Sequence, residues 1–302
     1  MAFTAKDVQA LREKTGCGMM DCKNALKETD GNMEAAVDYL REKGLASQAK
    51  KASRVAAEGQ VVALVDGDVA AVIEVNTETD FVAGNDEFKD FVTLCAKAVI
   101  ANNPADVDAL LASSFEGKTV AEYKEDIFLK FRENIQLRRF ARIEGKAVSY
   151  VHAGGKIGVL VELDTDLAMN DALVAMGKNV AMQVAAMNPG YLDQASVPAE
   201  DLEKEKAILV AQMKEDPKMA NKPDAVLGKI VEGKIGKFYK ENCLVEQQYV
   251  IDGDFTVGKY VDSVAKELGG TVKVASFVRY EKGEGIQKKE DDFASEVASM
   301  IK

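Results

Sequence analysis

The 302-residue sequence predicts an α+β fold. It comprises an N-terminal three-helix bundle, a duplicated strand-hairpin/helix core forming two antiparallel-sheet subdomains, an inserted antiparallel helical hairpin and a C-terminal helix. Three observations carry this. The first 45 residues show three short apolar stripes at helical spacing, separated by glycine-containing turns. A strand–turn–strand–helix pattern then occurs twice, starting at Gly59 and again at Glu144. Between residues 196 and 241 that pattern gives way to two charged helical stretches, with Pro217 and Pro223 at the turn between them.

Residues 1–45 form the bundle. Thr4 and Asp7 have the spacing of a helix cap, and Val8 and Leu11 mark the first apolar stripe. Thr15-Gly16-Cys17-Gly18 is a turn, and Met19, Cys22, Ala25 and Leu26 mark the second helix. Asp30-Gly31 stops it, Asn32 caps a third helix carrying Met33, Ala36, Val37 and Leu40, and Gly44 is placed at that helix's end. A unit this small has a marginal core, which suits a docking module. Residues 46–58, small, polar and locally basic, read as a linker, in part helical.

The core N-terminal subdomain is placed at 59–143. Val61 to Val65 and Val69 to Val75 form a hairpin about Asp66-Gly67. A helix with Phe88, Phe91, Val92, Cys95 and Val99 on its packed face follows. The run Phe131 to Phe140, with adjacent Arg138 and Arg139, reads as an amphipathic helix. The second subdomain takes residues 144–195 and 242–280, with the 196–241 hairpin inserted. Its strands turn at Ala153-Gly154-Gly155, its helix carries Leu173, Val180 and Val184, and strands are expected at Leu244 to Ile251 and Thr271 to Tyr280. Residues 281–302 form the C-terminal module, with Phe293, Val297 and Met300 on one helical face.

Aligning the two halves isolates one stretch. Val159 to Thr165 echoes Ala71 to Thr77, and Asn170-Asp171 opens a helix as Asn85-Asp86 does. Yet Glu162 to Asn170 spans 8 positions and Glu74 to Asn85 spans 11. The first copy carries three additional residues near Thr79-Asp80-Phe81, where the second has Asp166-Leu167-Ala168-Met169. The fold does not need this longer connection, and an aromatic on it is offered to a partner rather than required for packing. Thr79, Asp80, Phe81 and Val82 are therefore the first candidate binding residues.

Composition narrows the function. A net charge of −11, from 39 basic and 50 acidic residues, argues against a broad nucleic-acid or anionic-membrane interface. No apolar run approaches the ~20 residues of a membrane span. The N-terminus has neither signal-peptide nor transit character, and four scattered cysteines fit a reducing compartment, so a cytoplasmic location is expected. A single histidine, His152, removes His-pair metal sites and many enzyme designs, which weighs against an enzyme, although carboxylates can still do acid–base chemistry. Three stretches approach a phosphate-binding loop, and none has the required context. Ala112 to Thr119 ends in Gly-Lys-Thr without the leading glycine and after a helical flank. Gly253 to Lys259 is followed by Tyr260, so the metal-binding hydroxyl is missing, and Thr256 reads as a helix cap. Gly228 to Lys234 lies inside a helical pattern. No cofactor, metal or catalytic residue is expected.

Two resemblances extend this reading. Cys22-Lys23-Asn24-Ala25-Leu26 with Gly31 to Leu40 resembles a ubiquitin-associated domain, a protein-binding module. Four further stretches resemble the bacterial elongation factor Ts family: Leu11 to Lys23, Glu74 to Val82, Glu133-Asn134-Ile135, and Gly283-Glu284-Gly285-Ile286 with Asp291 to Ala294. Glu246-Gln247-Gln248-Tyr249 departs from the proline and phenylalanine that members often have there. The resemblance implies a guanine-nucleotide exchange factor, not an enzyme, that binds elongation factor Tu in GDP-bound and nucleotide-free states. It implies that the Thr79–Val82 loop intrudes beside the nucleotide and disturbs Mg²⁺ coordination, and that His152 is a further contact. It also implies that the N-terminal module, with Met19 and Met20, docks on the partner. The helical hairpin is linked to self-association in some members, so a homodimer contact is a candidate. No direct nucleic-acid or membrane partner is implied. The alternatives from other classes are an adaptor built on the N-terminal module without exchange activity, which leaves the extended loop unexplained, and an αβ enzyme using acidic residues, which lacks convergent motifs.

Overall fold

The computed structural model describes residues 3–215 and 224–287. Helix α1 (Ala5–Thr15) opens on the expected capping box, in which the Asp7 carboxylate accepts from Thr4 N at 2.6 Å and from Thr4 Oγ1 at 2.8 Å. Helix α2 (Met19–Glu28) follows, then α3 (Met33–Lys51), where Asn32 Oδ1 accepts from the Glu34 and Ala35 amides. Leu11, Cys22, Leu26, Ala36 and Leu40 close the small core.

Gly44 does not end α3, which continues to Lys51 and takes in the first part of the expected 46–58 linker. A Cβ at Gly44 would lie 2.4 Å from Leu129 Cδ2. The glycine is there for close approach rather than for a cap, because Leu129, from the core, inserts into the N-terminal bundle and belongs to its apolar cluster.

In the first subdomain β1 (Glu58–Asp66) and β2 (Val69–Thr77) form the expected hairpin. Then come α4 (Asp80–Ala83), α5 (Asp86–Asn102), α6 (Val107–Ala112), the short pair β3 (Ser114–Phe115) and β4 (Lys118–Thr119), α7 (Val120–Phe131) and β5 (Gln136–Glu144). The sheet is antiparallel in the order β1-β2-β5. The amphipathic helix expected from Phe131 to Phe140 is thus a correction: α7 ends at Phe131, Arg132 turns left-handed at φ +57, and the arginines lie on a strand. The cause is a bulge. Glu74 pairs with Arg139 and Val75 with Leu137, so Arg138 is an extra residue. Both arginines then reach the same carboxylate, and period-two alternation is lost.

The second subdomain repeats the plan. β6 (Ala147–His152), β7 (Ile157–Thr165) and the packed helix α8 (Asp171–Met187) are followed by the inserted α9 (Ala199–Glu215) and α10 (Asp224–Asn242), then α11 (Val257–Leu268) and β8 (Val272–Glu281). The sheet order is β6-β7-β8, antiparallel. Its register slips between Glu162 and Leu163, opposite Ala275, the position equivalent to the Glu74 bulge. A shared bulge at matched glutamates supports the duplication. Helices α9 and α10 bury a seam of Leu209, Met213, Leu227, Val231 and Ile235. The turn with Pro217 and Pro223, and the C-terminal helix with Phe293, Val297 and Met300, lie outside the described residues.

The strand expected over Leu244 to Ile251 is also corrected. The stretch begins with a single 3₁₀ turn, Leu244–Glu246, and then runs irregularly. Buried Gln183 serves its backbone instead of a ladder: Nε2 donates to Gln248 O at 3.1 Å, and Oε1 accepts from Val250 N at 2.9 Å.

The two sheets pack on each other through Val61, Ala63, Ala70, Val72, Ala147 and Leu160. Among the described residues no helix is long and apolar enough to cross a membrane. Replacing fully buried Leu160 with alanine is expected to destabilise the core by about 2–5 kcal/mol, read as a lower midpoint in urea unfolding.

Candidate functional site

Strand β2 delivers the additional residues of the first repeat. They fold into the single turn α4, not an open loop. Thr79 caps it, its Oγ1 accepting from Val82 N at 3.4 Å, and Gly84 N and Asn85 N donate back to Asp80 O and Val82 O. Asn85 then caps α5. Successive side chains of one tight turn point in different directions, which separates their roles. Val82 is only 7% exposed and joins the core beside α5, whereas Phe81 is 89% exposed and Asp80 is also exposed. No other large apolar side chain among the described residues is so fully presented to solvent.

One carboxylate holds the base of this turn. Glu133 Oε2 accepts from Thr77 Oγ1 (2.7 Å), Glu78 N (3.1 Å) and Thr79 N (3.0 Å), and Oε1 accepts from Thr79 Oγ1 (2.6 Å). Asn134 N returns a bond to Glu78 Oε1 at 2.7 Å. These charge-assisted bonds fix the segment from outside the strand ladder. Glu133 and Asn134 stand out in the sequence as a motif, but its spacing gives no sign that they act on residues more than 50 positions earlier.

His152 ends β6 and is exposed, its Nδ1 2.9 Å from the Tyr150 hydroxyl. It borders a cleft of about 410 Å³ lined by Tyr150, Ile157, Val250 and Ile251. The structure brings the turn after His152 up to the Phe81 turn through Gln60, which sequence reasoning missed. Gln60 Nε2 donates to Ala83 O at 2.8 Å, and its carboxamide occupies the space beside Gly155 (φ +96), where a Cβ would fall 1.6 Å from Oε1. Met19 and Met20, at the start of α2, are 47% and 63% exposed. Of the four residues that mark the second helix in the sequence, Cys22, Ala25 and Leu26 are buried and Met19 faces solvent.

The arrangement presents apolar tips on a fixed frame. Among the described residues no acidic, cysteine or histidine cluster could hold a metal ion. All four cysteines are buried, and desolvation pushes the Cys22 and Cys95 thiols up, and that of Cys243 up to about 11, away from the reactive thiolate. The Gly117-Lys118-Thr119 near-match spans the end of the β3–β4 turn and β4 itself, with Thr119 capping α7 and Lys118 paired with Asp126 at 2.6 Å. Thr256 caps α11 as expected.

A family model described as Elongation factor TS matches residues 78–284. Elongation factor Ts of Syntrophotalea carbinolica is 49% identical over 307 residues, spanning all of both chains. This chain belongs to the elongation factor Ts family. Elongation factor Ts of Magnetococcus marinus is 49% identical over 306 residues, with 100% of this chain and 99% of the relative covered. That of Clostridium kluyveri is 46% identical over 307 residues, covering 99% of each. The segment matched by the elongation factor Ts model begins at Glu78, the base of the Phe81 turn, and includes Glu133 and His152.

The opposite exposures of neighbouring residues predict opposite stability effects. Phe81→Ala is expected to change unfolding free energy by no more than about 0.5 kcal/mol. Val82→Ala is expected to cost about 1–3 kcal/mol. Denaturant unfolding of the two variants side by side checks this.

Proposed function

We propose that this chain is a guanine-nucleotide exchange factor for elongation factor Tu, acting in the cytoplasm by binding rather than by covalent chemistry. The single observation that supports it best is Phe81, an aromatic displayed almost completely to solvent on a turn whose base is clamped and whose next residue is buried. An exchange factor works by binding the nucleotide-free partner more tightly than the nucleotide-bound one, since only differential affinity shifts an equilibrium. Each ~1.4 kcal/mol of that difference weakens nucleotide binding tenfold. Burying Phe81 in the partner supplies ~1.5–3 kcal/mol from area alone.

In this reading the Thr79–Val82 turn enters beside the nucleotide and disturbs Mg²⁺ coordination, so that GDP leaves. Phe81 is the wedge. Asp80, exposed at the start of the turn, faces the groups that support the metal. Thr79 shapes the turn and Val82 anchors it. His152, on the adjoining hairpin, makes a second contact, and the N-terminal module with Met19 and Met20 docks on the partner and brings the turn into range.

The test is release of a fluorescent GDP analogue from elongation factor Tu. The intact protein is expected to accelerate release by orders of magnitude, and Phe81→Ala to lose at least about tenfold of that acceleration, the equivalent of ~1.4 kcal/mol. No acceleration by the intact, folded protein would sink the proposal.

A further inference from the structure

We infer that Glu133 is a positioning residue for Phe81: its carboxylate sets the angle at which the turn leaves β2. The inference rests on the exchange reading above. The side chain matches its task in number and kind. An ionised carboxylate only accepts hydrogen bonds and offers about four lone-pair sites, and Glu133 receives four bonds from three consecutive residues, Thr77, Glu78 and Thr79. Those residues lie immediately before Asp80 and Phe81. The clamp therefore acts where the chain changes from strand to turn, and a small tilt there is carried to the Phe81 ring.

A positioning group must itself be held. Glu133 lies between two residues that are pinned from elsewhere. Arg132 ends α7, its Nη2 reaches Asp21 Oδ2 at 3.0 Å, and its carbonyl accepts from Lys51 Nζ. Asn134 is buried and its Nδ2 donates to Ala52 O and Arg54 O at 3.2 and 2.8 Å. One turn earlier on α7, Leu129 is embedded in the N-terminal bundle. Residues 132–134 are thus fixed to the core, to the N-terminal module and to the segment joining them. None of these contacts is needed to form the β2 ladder, which the β1 and β5 pairings already complete.

The test uses Glu133→Gln, which keeps the side chain's length but puts an NH₂ group where one accepting oxygen stood. Release of the fluorescent GDP analogue from elongation factor Tu is followed across a range of concentrations of the full-length protein. The rate at saturating protein is expected to fall about tenfold or more, since orientation-dependent steps lose up to ~100-fold per ångström of misplacement. The concentration giving half the maximal effect should change by less than about threefold. Glu133→Gln added to Phe81→Ala should bring no further loss, because both act through the same ring. A merely structural glutamate predicts the reverse: weaker binding and additive losses. Thr79→Val, which removes one donor from the other side of the clamp, should lower the saturating rate likewise and be non-additive with Glu133→Gln.

A wild-type saturating rate in Glu133→Gln, or additivity with Phe81→Ala, would overturn the assignment while leaving the exchange reading intact. If Glu133→Gln does not fold, an unchanged saturating rate in folded Thr79→Val overturns it. Failure of the wild-type protein to accelerate release would remove both readings.

Discussion

The structure depends on a strand that is buried on both faces. Along β2, Ala71, Ile73 and Val75 pack toward α5, while Ala70 and Val72 pack against the second sheet. A half-exposed strand has one apolar face, but this one has two, and Glu74 falls among the buried residues. A lone carboxylate there would cost several kcal/mol. It is instead surrounded by donors: Arg139 Nε at 2.6 Å, Arg138 Nη1 at 3.0 Å, Gly283 N at 2.8 Å and Asn76 Nδ2 at 3.1 Å. The bulge at Arg138 is what lets two consecutive arginines serve one acid. Because those donors come from β2, β5 and the turn after β8, satisfying Glu74 also ties the two subdomains together. Arg139 extends the network to Glu284 at 3.1 Å and stacks over Tyr280.

A strand held this firmly makes a stable base for an exposed tip. The insertion that distinguishes the first repeat from the second sits at the end of β2, where Thr77 is still fully buried. Within five residues the chain passes from the complete burial of Thr77 to the nearly complete exposure of Phe81 and back to the buried Val82. That reversal would be unstable in an unsupported loop, because displaying a phenylalanine gains nothing for the free protein. The cap at Thr79, the Glu133 clamp and the Gln60 bond to Ala83 supply the support.

Much of this architecture was legible in the sequence, for local reasons. Capping residues such as Asn32, Asn85 and Thr256 act on amides two or three positions away, so their spacing is diagnostic. The hairpin at Asp66-Gly67 and the matched Asn-Asp helix starts are equally local, and comparing the repeats singled out the Phe81 turn without coordinates. The misreadings have a common origin in contacts between distant segments. Gly44 resembles a helix stop until Leu129 is seen filling its space. Arg138 and Arg139 resemble a helix face until the bulge aims both at Glu74. Leu244 to Ile251 has the composition of a strand, but Gln183 satisfies its backbone. The roles of Glu133 and Gln60 were hidden for the same reason: each acts on residues more than twenty positions away through side-chain bonds that leave no periodic trace.

Rigidity of this kind has a thermodynamic use. Binding energy spent on ordering a flexible loop is not available to displace a ligand from the partner. In the proposed exchange reaction, a turn ordered beforehand would keep the area term of Phe81 for distinguishing nucleotide-free from nucleotide-bound partner. The same preorganisation explains why Phe81 and Val82, adjacent in sequence, divide their work. One residue must bind the core so that the other can be spared from it. Asp80 is exposed like Phe81, and its carbonyl accepts from Gly84 N, so the backbone carrying the charge and the ring is held by the same turn.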